Sequence, residues 1–260
     1  MHPRHDRAAP LTRPAAEAAM RRLTRRGFLA GGLAAAAGAG GWAWLTTRAE
    51  EDGVPWPLRR ALGLDERLAR AAYSAGRLAP TFPRGQAREP RVNGHIGLAG
   101  RTDAARWRVQ LLDPEREAVL LELPLEALAG LPRVEMVTEL KCVEGWSEVV
   151  HWGGVRFADF AARFAPPGKP AHQYGYVYLA TPDGGYYVGL DIESALHPQT
   201  LLCDAMNGAP LPAEHGGPLR LVTTLKYGVK SIKQVGRIRF TDRRPPDYWA
   251  ERGYDWYAGH

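Results

Sequence analysis

The chain has 260 residues, 45% of them hydrophobic, enough for one large domain with a core of its own. Of 34 basic and 28 acidic residues, eight arginines but only Asp6 and Glu17 fall within residues 1–49, so the +6 net charge sits there and the remainder carries 26 of each sign. A neutral body has no electrostatic reason to follow a phosphate backbone, which excludes nucleic acid as a partner.

Residues 1–49 read as a twin-arginine signal segment. "LTRRGFLA" sets Arg25 and Arg26 before Phe28 and Leu29, and "GGLAAAAGAGGWAWL" (31–45) is uncharged, small and mildly apolar. That route carries folded proteins, largely those loaded with a cofactor before export, so the leader points to a cofactor and to a periplasmic or other extracytoplasmic location. The run is short and poor in large apolar residues for a spanning helix. Cleavage is expected, although "TTRAEED" offers only Thr47 and Ala49 as small residues. The alternative is a membrane-anchored protein with an uncut leader and Trp42 and Trp44 at the interface.

Residues 50–90 form a lead-in. Leu58, Ala61, Leu62, Leu68 and Ala72 recur at helical spacing, and Pro80, Pro83 and Pro90 then impose an extended connector. The third region, 91–260, holds the body. "WRVQLL" (107–112) predicts a strand and "LPLEALAGLP" a short helix bounded by prolines. In "RVEMVTELKC", Val134, Met136, Leu140 and Cys142 share one face at period two, which puts Cys142 on the core side of a strand end. "RFADFAARF" reads as a helix with a Phe157, Phe160, Phe164 stripe; "YGYVYLA", "YYVGL", "LRLVTTL" and "GRIRFTD" read as strands. Many short strands, few short helices and 21 prolines predict an α+β fold. "GHIGLAG" lacks the G-x-G-x-x-G spacing and a following helix, so no dinucleotide fingerprint is present.

Cys142 and Cys203 are the only cysteines. Export permits a disulfide between them, while "TLLCDAMNG" suits Cys203 as a core residue. Ser147 in "EGWSEV" is followed two positions later by Val149, where a nucleophile elbow needs glycine. A Cys142 nucleophile would draw on His151 as its base, with no orienting partner in the sequence. His95, His151, His172, His197 and His215 lack paired zinc spacing, and two cysteines cannot hold an ordinary iron–sulfur cluster. A further reading makes one thiolate the sole protein ligand of a metal whose other ligands belong to an anionic, phosphate-bearing cofactor. Such a cofactor needs cations and bare backbone N–H groups. "EHGGPLRL", with His215 and Arg220, and "KYGVKSIK", with Gly228, Lys230, Ser231 and Lys233, offer both. Each patch alone also reads as a turn or a solvated strand.

Taken in order, "RVNGHIGL", "ELKCVEGWS", "LLCDAMNGAPLPAEHGGPLRL" and "YGVKSIKQVGRIRF" resemble the molybdopterin-binding domain of the sulfite oxidase family over residues 91 to 252. The closest branch is that of the catalytic subunits of periplasmic methionine sulfoxide reductases, which share the Cys-Val-Glu-x-Trp-Ser run and the leader. The resemblance implies a mixed-sheet molybdopterin-binding fold and a molybdenum–molybdopterin cofactor with Cys142 as metal ligand and catalytic residue. It assigns Arg220 and His215 to the pterin and its phosphate. Gly228, Val229 and Lys230 would wrap the cofactor through backbone N–H groups and one ammonium, with Ser231 and Lys233 beside them. Thr181 in "YLATPDGG" matches a cofactor-contacting threonine, and Asn93 and His95 a weaker asparagine stretch without the family's Tyr-Glu pair.

Three departures shape the expected function. Sulfite oxidases follow the ligand cysteine with a Gly-Asn-Arg-Arg run; here Val143, Glu144, Gly145 and Trp146 follow, and a carboxylate with an indole does not replace a guanidinium for a small dianion. The chain ends soon after its last strand, without the immunoglobulin-like dimerisation domain. No haem domain is present either, so electrons are expected from a membrane haem protein or another redox protein. The expected reaction is oxygen-atom transfer from a small-molecule or protein-bound sulfoxide. Sulfite dehydrogenation, or a non-catalytic pterin-binding assembly module, are the alternatives. Trp146, Trp152 and Tyr227 are candidate walls of a substrate funnel, Glu144 a hydrogen-bond acceptor, and Lys226 a residue that tunes cofactor charge.

Overall fold

The structure, a computed structural model, describes residues 12–74, 76–98 and 103–260. Leader residues 1–11, with Arg4 and Arg7, and residues 99–102 at the end of the glycine-rich stretch lie outside the described residues. The described chain divides into two units, Met1–Glu50 with Pro55–Pro57 and Glu51–Val54 with Leu58–His260.

In the first unit, helix α1 (Arg13–Thr46) runs through both the basic and the apolar parts of the leader. It extends well beyond the short apolar run read from the sequence. Its apolar stretch is long and hydrophobic enough to cross a membrane.

Helix α2 (Trp56–Ala72), in the second unit from Leu58 on, is the lead-in helix expected from its leucine and alanine spacing. The body is built from β1 (Arg108–Leu112), β2 (Val119–Pro124), β3 (Arg133–Lys141), β4 (Ser147–Arg156), α3 (Phe157–Phe164), β5 (Tyr176–Ala180), β6 (Tyr187–Asp191), α4 (Ile192–Ala195), β7 (Thr200–Met206), β8 (Arg220–Thr223) and β9 (Arg237–Thr241). Two five-stranded sheets result. One runs β2–β1–β9–β5–β6 and is mixed, because β9 pairs parallel to β1 and antiparallel to β5. The other is antiparallel: β3 pairs with β4, β4 with β7, and β7 also with β8 and with the short strand Ala209–Pro210. This is the α+β, mixed-sheet architecture the sequence predicts. Among the described residues no named strand follows β9.

The main core lies where the mixed sheet, α3 and the second sheet meet. Val109, Leu111, Val177, Leu179, Ile238 and Phe240 pack with Phe157 and Phe160 of α3 and with Val155, Leu202 and Leu221. Burying side chains of this size contributes on the order of 2 kcal/mol each. A second cluster collects Met136, Val150, Trp152, Leu201, Cys203 and Val222. Cys203 is fully buried and free, a packing residue; burial pushes its thiol up to about 12.

Strand β4 carries the bulge that lets these layers close. Register shifts between Gly153 and Gly154, and a Cβ on Gly154 would stand 2.1 Å from the Leu202 carbonyl oxygen. Only glycine allows the two backbones to approach that far.

Candidate active site

The β3–β4 hairpin presents Cys142. Strand β3 ends at Lys141, opposite Ser147. The Cys142 N–H donates to the Trp146 carbonyl at 2.9 Å and the Gly145 N–H to the Cys142 carbonyl at 3.1 Å, closing a tight turn. Gly145 takes φ +87°, a left-handed value that favours glycine. Cys142 therefore leaves the alternation of β3: it is half-buried and opens onto a cleft instead of entering the core. His151 pairs with Val137, five positions back along β3, and is no base for Cys142.

Six parts of the chain line the cleft. The start of the body supplies Arg91, Asn93, Gly94 and Ile96; the hairpin supplies Leu140, Cys142, Val143, Glu144 and Trp146. Tyr186 precedes β6, and His215 and Arg220 come from the turn into β8 and its first residue. Gly228, Val229, Ser231 and Lys233 follow β8, and Trp249 and Tyr254 come from the C-terminal segment. Eight of the eleven predicted site residues thus converge: Asn93, Cys142, His215, Arg220, Gly228, Val229, Ser231 and Lys233. The Asn93 amide Nδ2 donates to Cys142 Sγ at 3.6 Å, within reach for sulfur.

The floor of the cleft is cationic, and among the described residues no carboxylate hydrogen-bonds to its cations. Arg220 is buried; its guanidinium donates to the His215 carbonyl at 2.8 Å and the Ser231 carbonyl at 3.1 Å, and stacks 4.7 Å over Trp152. Its Nε has no partner among the described residues. Burial lowers Arg220 to about 10. Lys233 Nζ donates to three carbonyls, Glu214 at 2.6 Å, Asn93 at 2.7 Å and Gly94 at 3.1 Å, and burial beside Arg220 lowers it to about 8. No carboxylate pairs with either cation among the described residues. His215 is buried and held below its ordinary pKa by burial, Lys233 and Arg220. Its Nε2 stands unpartnered, 3.6 Å from exposed Glu89 and beyond hydrogen-bond reach. The N–H groups of Gly228 and Val229 open a turn whose first internal bonds are Lys230 N–H to Tyr227 O and Ser231 N–H to Gly228 O, so neither has a protein acceptor among the described residues. Orphaned buried donors around unneutralised charge constitute an anion site. They fit a phosphate-bearing cofactor.

Three predicted residues lie elsewhere. Lys230 is buried with its ammonium on Asp247 and on the Gly189 carbonyl at 2.9 Å, behind the cleft. Its ammonium is committed to the protein: a buried lysine needs a carboxylate, and Asp247 supplies it. Thr181 is fully buried, donating to Asp183 at 2.5 Å and accepting from Tyr186 N–H at 3.1 Å, beneath the close-packed Gly97. His95 is exposed and outside the cleft.

Of the candidate funnel walls only Trp146 lines the cleft; Trp152 is wholly buried under Arg220, and Tyr227 packs 5.1 Å from His260. Glu144 accepts from the Trp146 indole at 3.1 Å. Lys226 pairs with Asp191 at 3.0 Å away from the cleft. The aromatic wall of Tyr186, Trp249 and Tyr254 escaped the sequence reading. Its signal was the aromatic density of "DYWAERGYDWY", which no motif marks.

Residues 95–249 match the family described as "Oxidoreductase molybdopterin binding domain". Protein-methionine-sulfoxide reductase catalytic subunit MsrP of Xanthomonas axonopodis pv. citri is 42% identical over 48% of this chain and 42% of its own length. A protein of Azospira oryzae, named as a candidate protein-methionine-sulfoxide reductase subunit YedZ1, is 33% identical over 72% of this chain and 70% of its own. This chain therefore spans less than half of the Xanthomonas relative. The crystal structure of sulfane dehydrogenase SoxCD from Paracoccus pantotrophus shares the fold, with TM-score 0.50 and 20% identity over 65% of this chain and 46% of that one. With its cysteine-tipped hairpin above a cationic floor, the chain belongs to the oxidoreductase molybdopterin-binding domain family, with the sulfite-oxidase-type fold.

Proposed function

We propose that this chain is an exported mononuclear molybdenum oxidoreductase that reduces sulfoxides by oxygen-atom transfer. The observation that carries the reading is the joining, in one cleft, of the Cys142 thiol with Arg220, Lys233 and His215, where the buried Arg220 Nε and His215 Nε2 have no hydrogen-bond partner among the described residues. The names of its relatives support the sulfoxide class.

Cys142 Sγ would hold the metal, and Asn93 Nδ2 orients that sulfur by donating to it. Arg220, His215 and Lys233, with the N–H groups of Gly228 and Val229, would bind the phosphate and pterin. Ser231 fixes the floor by accepting from Arg220 through its carbonyl. Lys230 holds the 228–231 turn from behind, through Asp247. When bound, the cofactor supplies an oxygen-atom acceptor and a two-electron change at the metal. Sulfoxide reduction to a thioether takes up two electrons and two protons and releases water.

Around the opening, Ile96, Val143, Trp146, Trp249 and Tyr254 form apolar and aromatic walls. They suit a thioether side chain, free or in a protein, and orient it by excluding water. Glu144 at the same opening repels the sulfite dianion, which disfavours sulfite dehydrogenation. Electrons would come from a membrane haem protein or another redox protein. Arg25 and Arg26 support twin-arginine export, and α1 is long and apolar enough to serve as an anchor where the leader stays uncut.

Protein isolated from the export compartment is expected to hold molybdenum in stoichiometric amount and to turn over methionine sulfoxide or dimethyl sulfoxide faster than sulfite. Cys142→Ser is expected to abolish turnover and change the metal's electron paramagnetic resonance spectrum while leaving circular dichroism intact. Full activity in that variant would overturn the role of Cys142. A metal-free wild type would leave the non-catalytic module instead.

A further inference from the structure

Helix α2 is amphipathic in the inverse sense for a helix packed on a body. Its polar side faces the protein. Arg59 donates to the carbonyls of Tyr254 at 2.9 Å and Ala250 at 2.7 Å. Glu66 accepts from Arg70 at 3.0 Å and from Arg244. Tyr73, just beyond the helix, donates to the Glu193 carbonyl at 3.0 Å, and Ala69 packs on the cluster of Ala250, Trp256 and Tyr257. With these residues facing inward, the 3.6-residue period turns Ala61, Leu64, Leu68 and Ala72 outward. Leu64 is 49% and Leu68 61% exposed, and Leu78 downstream is 57% exposed. A helix so firmly tied by its charges has no structural need for leucines on its solvent side.

We propose that this outward face of α2 rests on an anionic lipid surface. Three features select lipid. Only Thr47–Pro55 separate α2 from α1, the helix able to cross a membrane, so a retained α1 confines α2 to the neighbourhood of a bilayer. Exposed Arg67 and Arg77 flank the leucines, with Asp65 the acidic residue on the same side. Cations bordering an apolar helical face, with leucine side chains able to enter the acyl boundary, are the pattern of an interfacial helix. The inference rests on the anchored reading of α1. It has a consequence for orientation. The segment that Arg59 grips contains Ala250 and Tyr254 and runs on from Trp249, and Trp249 and Tyr254 line the cleft. Lipid contact along α2 would therefore hold that wall of the cleft close to the bilayer, where a membrane electron donor would lie.

The test places a photo-crosslinking p-benzoylphenylalanine at position 64, 68 or, as a control, at exposed position 115 of the full chain in its own membranes. Mass analysis after irradiation is expected to show phospholipid adducts at 64 and 68 and none at 115. Adducts only to another polypeptide, or no adduct at 64 and 68, overturn the lipid surface. In vesicles, adduct yield should be higher with phosphatidylglycerol than with phosphatidylcholine alone; equal yields overturn the anionic preference. Intact mass of the same protein reports separately whether α1 remains attached, so failure of the anchor reading is distinguished from failure of the lipid contact.

Discussion

Two pairs of cations, buried except for the half-buried Lys233, lie close together in sequence and face opposite fates. Behind the cleft, Lys226 stands 3.0 Å from Asp191 and Lys230 contacts Asp247. Burial still lowers both lysines, Lys226 to about 7, against the pull of their carboxylates. On the cleft floor, Arg220 and Lys233 hydrogen-bond only to carbonyl oxygens among the described residues. The first pair is completed by the fold itself, the second by something the fold leaves room for. Charge alone does not mark a binding residue; charge without a protein counter-charge does.

The sharpest way to break this contrast is to remove one partner on each side. Lys230→Met leaves the buried Asp247 carboxylate unpaired and is expected to cost about 3–5 kcal/mol of stability. Denaturant unfolding would measure it, and the double change Lys230→Met/Asp247→Leu should recover most of the loss. Arg220→Met should act in the opposite register. Its lost carbonyl hydrogen bonds, worth about 1 kcal/mol each, are offset by relief of a desolvated charge, so cofactor-free stability should stay within about 2 kcal/mol of wild type. Molybdenum content should nevertheless collapse. If Arg220→Met unfolds the protein as Lys230→Met does, the distinction between the two pairs is lost.

The two kinds of cation were not separable in the sequence. "KYGVKSIK" shows Lys226, Lys230 and Lys233 as equals, and the carboxylates that claim the first two are Asp191, distant in the chain, and Asp247, in the C-terminal segment. Strands were legible where one face was apolar and the other was not, as in β3, or where β-branched and aromatic residues clustered, as in β5. Strands β4 and β7 were not read as strands, because they are buried on both faces along much of their length and show no alternation. The exposed edge strand β2 is not marked either: its Val119, Leu120 and Leu121 show no alternation and run on into the proline-bounded helix predicted over "LPLEALAGLP". Cys142 was legible as a residue and misplaced by one step, because the turn closed by Gly145 takes it out of the strand's pattern.

The pH dependence of stability sharpens the floor side of the comparison. Lys233 is held at about 8 in the folded chain against an ordinary 10.5. Between those values the unfolded chain keeps the proton that the folded chain has lost, so cofactor-free stability rises with pH across that window and the penalty is fully present below it. Lys226, lowered to about 7, contributes a rise of the same sign. The diagnostic is therefore the difference between wild type and Lys233→Met: the variant should show a shallower rise in unfolding midpoint from pH 8 upward. Cofactor-loaded protein should show a shallower rise too, because a bound anion keeps Lys233 charged. Identical slopes in all three would remove Lys233 from the anion site.

The smallest expected effect tests whether the floor is truly without a counter-charge. Glu89 is the one carboxylate within 4 Å of His215 among the described residues, 3.6 Å from Nε2 and mostly solvent-exposed. A carboxylate so placed is screened by water, and an exposed pair contributes about 0–1 kcal/mol. It also does not return His215 to its ordinary pKa, since burial and the two cations hold it lower. Glu89→Gln should therefore change stability by less than about 0.5 kcal/mol and leave molybdenum content and sulfoxide turnover at wild-type levels. A large loss of molybdenum in this variant would show that Glu89 and His215 act as a pair. The floor would then be partly neutralised by the protein, and the binding of an anion there would rest on Arg220 and Lys233 alone.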